Sequence, residues 1–367
     1  MALDWAKAFD AIDPKAMLAA LRRFGLPSHI LEIIAAIYSS RRFQVQDCGK
    51  TSEEREQLSG ISQGCPLSPF LFVMLMSVLM ADAADELPAS DKQLLQQGCL
   101  ADLLYADDTL LMSVSAASLE RFLKEVSNAG ATYGLELHWG KLQLMRVRTD
   151  AAVRRPDHTN IEAQSEMTYL GSVVSDDGRA GRELVRRLGM ARSEFRALSR
   201  IWRHSNLGRA RKIKIFESTV LPKLLYGLAA TWLNTSERRR LNGFQNRCLR
   251  EIWGIKPAFL SRISNAKVLE VTSQQPLTKA LERQQLLLYG RVARQPAGSL
   301  MRDVTFCPDS LRPAVDRFVR KVGRPRLDWT TGVAKLAVEA TNGPHHLDTA
   351  IGEASRWKEV VETFYNR

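Results

Sequence analysis

Two adjacent carboxylates, Asp107-Asp108, follow Tyr105-Ala106 in the middle of the apolar stretch Leu100–Val114, a hairpin pattern. Side by side at a turn, two ionised carboxylates repel each other unless a cation lies between them. A hard divalent ion with oxygen ligands removes that cost; Mg²⁺ is the usual one beside phosphates, and Mn²⁺ accepts the same donors. A third carboxylate, Asp4, stands at the edge of another short apolar strand, Leu3-Asp4-Trp5. If the two strands pair, Asp4 and Asp107 can share two ions about 3.5–4 Å apart, the geometry of in-line phosphoryl transfer. One ion would activate an attacking 3′-hydroxyl, and the other would hold a triphosphate and its departing pyrophosphate. The plainer reading of Asp107-Asp108 is a polar hairpin tip, since Asp is common in turns.

The elements that must position these groups follow from patterning. Asp13-Pro14 is a helix start, with Asp as N-cap and Pro at the first helical position, and Gly25 ends that helix. Ser28 is expected to cap a second helix, through Tyr38. Arg41–Gln46 reads as a strand. Ser59–Ser68 is a Gly/Ser/Pro-rich loop leading into the apolar run Phe70–Ala81, too short for a bilayer and read as a buried helix. Leu119, Phe122, Leu123, Val126 and Tyr133 fall at helical spacing over Ser118–Tyr133. Leu135–Leu137, Leu142–Val147 and Met167–Val174 are strand candidates. This order predicts an α+β fold, with helices on one face of a largely antiparallel sheet.

Charge divides the chain. Residues 1–150 hold 14 Lys+Arg and 19 Asp+Glu, leaving 38 basic and 21 acidic residues in the remainder. A basic second part points to a polyanion partner; a solvated basic surface is the alternative. From Arg179 onward the pattern is mostly helical, with Leu184, Leu188, Ala191, Phe195, Leu198 and Trp202 on one stripe. Arg182, Arg186, Arg196, Arg200 and Arg203 fall on another face of the same expected helix, suited to a phosphate backbone. Further basic clusters are Arg209–Lys214 and Arg238-Arg239-Arg240. The five cysteines show no CxxC pair, which indicates neither a disulfide framework nor a zinc module. No signal-peptide pattern opens the chain. An intracellular protein, nuclear or cytoplasmic, not secreted and without a membrane partner, is the expectation.

Taken together and in order, the motifs resemble those of reverse transcriptases. Leu3-Asp4-Trp5-Ala6-Lys7-Ala8-Phe9-Asp10 resembles the first palm motif. Ser59-Gly60-Ile61-Ser62-Gln63-Gly64-Cys65-Pro66-Leu67-Ser68-Pro69 resembles the second, and Tyr105–Asp108 the third. Gly134-Leu135-Glu136-Leu137 with Lys141 resembles the fourth, although His138 and Leu142 stand where the family usually has Asn and Thr. Tyr169-Leu170-Gly171 resembles the fifth, the hairpin that grips the primer. Leu221-Pro222-Lys223-Leu224-Leu225-Tyr226-Gly227 and Gly323-Arg324-Pro325-Arg326 resemble C-terminal segments of the non-LTR (LINE-type) retrotransposon branch. A group II intron maturase shares such palm motifs but not these later segments.

The resemblance implies a right-hand polymerase palm over residues 1–178, a helical basic thumb over 179–260 and a basic, mostly helical region over 261–367. It implies RNA-directed DNA polymerisation with two Mg²⁺ ions, an RNA template, a DNA primer and deoxynucleotides; a catalytically silent remnant that binds nucleic acid is the alternative. Asp4, Asp107, Asp108 and the Trp5 carbonyl would hold the metals. Lys141 would act at the pyrophosphate, with a surface lysine as the plainer reading. Phe9 would be the wall against a 2′-hydroxyl. Gln63, Gly64 and Tyr105 would line the nucleotide, and Tyr169 and Gly171 the primer. Fingers precede the first palm motif in this family, and three residues precede Asp4 here, so fingers and any nuclease segment are expected to be encoded upstream. Gly323-Arg324-Pro325, flanked by Lys321 and Arg326, is either a basic linker or a minor-groove hook.

Overall fold

A computed structural model describes residues 1–204, 206–314 and 328–366. The chain divides into two compact units, Met1–Gly171 with Ser175–Asp177, and Ser172–Val174 with Gly178–Arg367. The Gly323-Arg324-Pro325 segment lies outside the described residues.

In the first unit a three-stranded antiparallel sheet runs in the order Ala2–Leu3, Asp108–Ser113, Leu100–Tyr105. The register pairs Leu3 with Thr109 and Tyr105 with Asp108. Ala106 and Asp107 form the two-residue tip of the expected hairpin, with Ala106 at φ 54°. Asp13 accepts from the N–H groups of Lys15 (2.7 Å) and Ala16 (3.2 Å) and so caps helix Pro14–Phe24. Helix Ser28–Tyr38 begins a residue earlier than expected. Pro27 takes the N-cap position with its preset φ, so the Ser28 hydroxyl caps nothing.

The apolar run becomes helix Ser68–Asp85, extended at both ends. Its 18 residues are long and apolar enough to cross a membrane by length and composition. Leu71, Phe72, Leu75, Met76, Leu79 and Ala83 are nonetheless buried in protein. The helix packs on Pro14–Phe24 and on Ala116–Thr132, which makes it a core helix. Ser115 caps Ala116–Thr132 by accepting from Ser118 N–H at 3.3 Å.

Several expected strands are shorter. Arg41–Gln46 resolves into Arg42–Phe43 and Gln46–Asp47, paired with Arg55–Glu56 and Lys50–Thr51. All of these residues are exposed, so no buried face sustains a longer register. Leu135–Leu137 and Leu142–Val147 reduce to bridges at Trp5↔Leu137 and Ala2↔Gln143, plus Leu144–Met145 parallel to Ala163–Gln164. Met167–Val174 is two strands, Glu166–Tyr169 and Ser172–Ser175. Leu170 and Gly171 lie between them at φ 46° and 68°, both left-handed, as a tight hairpin turn requires.

The second unit is mainly helical. The stripe expected on one helix spans two, Gly181–Ala197 and Ser199–His204, because the first helix ends at Leu198. The Trp202 indole donates to the Phe195 carbonyl at 2.7 Å and stacks on the Phe195 ring. It thereby occupies a carbonyl at the helix end that a continuing turn would have used. One core draws on residues from Leu184 to Leu281 and another on residues from Leu286 to Tyr365. Helix Leu277–Ala293 contributes to both, so residue 260 lies inside the span of the first of these cores.

Candidate active site

The register that pairs Leu3 with Thr109 sets Asp4, one residue on, opposite Asp108. Trp5 locks this alignment. Its indole donates to the buried Thr109 hydroxyl at 3.1 Å, and its ring rests on Gly130 of helix Ala116–Thr132. A Cβ at Gly130 would lie 2.5 Å from that ring. The fourth motif lies along the other side of the first strand. His138 N–H donates to the Asp4 carbonyl (2.7 Å), and Ala6 N–H donates to the Glu136 carbonyl (2.8 Å). This brings Lys141 to Asp4, with Nζ 3.0 Å from Oδ2.

Asp107 and Asp108 are exposed, Asp4 half-buried. The Asp108 carboxyl is pushed above the usual carboxylate range, first by partial burial and then by the charges of Asp107 and Asp4. Three carboxylates thus share one field, with Lys141 as a monovalent counter-charge on Asp4. Oxygen donors in mutual repulsion are the chemistry a divalent cation relieves, so the donor set fits the expected metal in kind. Among the described residues no three or more His, Cys, Asp or Glu side chains are gathered closely enough to hold a metal ion by themselves. Asp4, Asp107 and Asp108 lie at one sheet edge, where Asp108 is within reach of the charges of the other two.

The nucleotide-side residues group around the loop of the second motif. Phe9 is half-buried and stacks on Phe72, with centroids 4.6 Å apart and planes 12° from parallel. Gln63 Nε2 donates to Asp10 Oδ1 at 3.1 Å, joining the second motif to the first. Gly60 makes the closest approach: its N–H donates to the Ile12 carbonyl, and a Cβ there would lie 2.8 Å from Asp10 Cα. Gly64 has open space around its Cα and stands at φ 85°, where glycine is favoured. Asp10, Gly60 and Gly130 were missed as positioning residues. A glycine inside the helical pattern of Ala116–Thr132 was the available signal for Gly130.

Tyr105 is 65% exposed next to the hairpin tip. The Tyr169 phenol is pushed up by burial and by the Asp108 carboxylate, which places the fifth motif within electrostatic reach of the third. Gly171 is exposed at its turn. In the second unit Arg182, Arg196, Arg200 and Arg203 are exposed, and Arg186 is half-buried. Arg203 pairs with Glu251 at 2.9 Å. Arg186 bonds Glu183, its Nε 2.9 Å from Oε2, so part of the expected phosphate-facing set is engaged within the protein.

Residues 1–174 match the family described as reverse transcriptase (RNA-dependent DNA polymerase). Residues 1–174 are a reverse transcriptase domain. The chain is 25% identical over 281 residues to a retrovirus-related Pol polyprotein from the type-1 retrotransposable element R2 of Popillia japonica, covering 73% of this chain and 44% of that protein. It is 27% identical over 170 residues to the Pol polyprotein from the type-2 element R2DM of Drosophila melanogaster, covering 46% of this chain and 15% of that protein. A putative transposon-derived protein of Caenorhabditis elegans is 26% identical over 244 residues, 64% of this chain and 85% of its own length. The chain spans less than half the length of the R2 relatives. These likenesses place the reverse transcriptase domain on the non-LTR branch that the later motifs pointed to.

Proposed function

We propose that this chain carries out RNA-directed DNA synthesis for a non-LTR retroelement, extending a DNA primer on an RNA template from deoxynucleotides. The observation that carries this reading is the placement of Asp4, Asp107 and Asp108 at one sheet edge, in the order the family's motifs require. Two Mg²⁺ ions, with Mn²⁺ as a substitute, would supply Lewis-acid activation of the primer 3′-hydroxyl and charge neutralisation on the triphosphate. Asp4 and Asp107 would hold them, with Asp108 and the Trp5 carbonyl beside them.

Trp5, anchored by Thr109 and Gly130, keeps the two strands in register so that the carboxylates face the same space. Phe9, backed by Phe72, presents a flat wall under the sugar and leaves no room for a 2′-hydroxyl. Gln63, oriented by Asp10, lines the nascent base pair with Gly64 and Tyr105. Lys141 already sits against Asp4 and is placed to follow negative charge as it develops on the departing pyrophosphate. Tyr169 and Gly171 hold the primer strand, and the exposed arginines of the second unit meet phosphate. The test is primer extension by the purified chain on an annealed RNA template, with Mg²⁺ and deoxynucleotides. Extension lost on Asp107→Ala supports the reading. Salt-sensitive binding of primer–template without any extension supports the silent-remnant reading instead.

A further inference from the structure

The segment Leu221-Pro222-Lys223-Leu224-Leu225-Tyr226-Gly227 contributes no group to the chemistry above, yet it is one of the motifs that mark the branch. Its last two residues close on a buried charge cluster. Glu183, on helix Gly181–Ala197, is 3% exposed and accepts four bonds. Two come from Arg186, at 2.9 and 3.0 Å, and one from Arg187 Nε. The fourth comes from the backbone N–H of Val173, at 2.9 Å. Burial alone pushes the Glu183 carboxyl up; the bonds from Arg186, Val173 and Arg187 outweigh it and hold the carboxyl below its usual range.

Arg187 is itself buried. Its guanidinium lies over the Tyr226 ring, 4.5 Å from the centroid, and donates to the Ser172 hydroxyl at 3.3 Å. Gly227 completes the enclosure at φ 75°, where a Cβ would come within 2.4 Å of Ser172 Oγ. Glu183, Arg187 and Gly227 therefore act on one short stretch, Ser172-Val173, and Tyr226 covers Arg187. That stretch follows directly on Tyr169-Leu170-Gly171 in the chain.

We propose that Glu183 and Arg187, closed over by Tyr226-Gly227, are positioning residues that fix Ser172-Val173 and thereby set the primer-holding turn before them. The proposal rests on the polymerase reading given above. It accounts for a buried carboxylate–arginine pair on a helix otherwise suited to phosphate. Such pairs add little net stability and serve where one geometry must be enforced. It also accounts for glycine at 227, where any side chain would push on Ser172.

A misplaced primer terminus changes the ratio of extension from a paired to a mismatched 3′ end. That ratio does not depend on how much of the protein is folded. In the full chain, Gly227→Ala is expected to lower it by about 10-fold, a loss of discrimination comparable to that of one misplaced contact. Ser172→Ala alone, which keeps Gly227 and removes the hydroxyl that accepts from Arg187, is expected to lower the ratio in the same direction. Glu183→Gln is expected to shift the ratio in the same direction and to speed amide exchange at Val173. An unchanged ratio in both Gly227→Ala and Glu183→Gln, with the parent chain extending normally, overturns the proposal alone. No extension by the parent chain overturns the polymerase reading and this proposal with it.

Discussion

The two units each hold a cluster of acidic and basic side chains, and they treat charge in opposite ways. At the sheet edge of the first unit, Asp4, Asp107 and Asp108 are accessible, partial burial and the charges of Asp107 and Asp4 push the Asp108 carboxyl up, and Lys141 is a counter-charge on Asp4. On helix Gly181–Ala197 of the second unit, Glu183 is buried and saturated by two arginines and a backbone N–H. A charge left in deficit at a surface can recruit a cation and do chemistry. A charge satisfied from every side can only hold its partners still. The first cluster is therefore the reactive one, and the second is scaffold.

The contrast is broken or sharpened by separating activity from stability. The largest effect is expected from Asp107→Ala: extension falls by about 10³-fold or more, as for loss of a metal-bridging carboxylate. Its thermal midpoint should stay level or rise, because a mutually repelled charge is gone; a primer-extension assay beside a melting curve reads both. Glu183→Ala should behave inversely in a denaturant titration. It takes the carboxylate away from the buried Arg187 and is expected to cost about 3–5 kcal/mol of unfolding free energy. A melting curve as stable as the parent's would show that the second cluster is not scaffold.

A smaller effect is expected at the seat of Trp5. Gly130→Ala forces a Cβ against the indole, and overpacking of this kind costs about 1–3 kcal/mol. Trp5 also holds Asp4 in register, so extension should fall further than stability does. Equal losses in both assays would remove Trp5 from the account of the site. The smallest effect is on acid stability. The Glu183 carboxyl is held below its usual value of 4.5 in the fold. Its contribution is thus present above that value and lost as pH falls through the lower folded one. Stability measured from pH 6 down to 3 should fall less steeply in Glu183→Gln than in the parent chain.

The legible part of this molecule was the part written in neighbouring residues. Asp107-Asp108 between apolar half-strands announced the hairpin, and Asp13-Pro14 announced its helix. The fold class followed from the order of such signals, and the motif set then identified the domain. What escaped was written across distance. Trp5 bonds Thr109 and rests on Gly130, Gly60 packs on Asp10, and Glu183 bonds Val173. Each depends on a contact that no local pattern carries. The break at Leu198 is of the same kind, since it follows from the Trp202 indole reaching Phe195. The short strands Arg42–Phe43 and Gln46–Asp47 fell short of the expected length because nothing buries either face.

The central claim is that Asp4, Asp107 and Asp108 hold divalent ions while the Glu183 cluster holds none. Fe²⁺ offered in place of Mg²⁺, with ascorbate and peroxide, cuts a backbone close to where the ion sits, whether or not a primer is extended. Cuts beside Asp4 and beside Ala106–Asp108 are predicted, suppressed by excess Mg²⁺ and by Asp107→Ala, with the chain around Glu183 intact. Cuts that persist unchanged in Asp107→Ala, or that fall elsewhere in the chain, would contradict it.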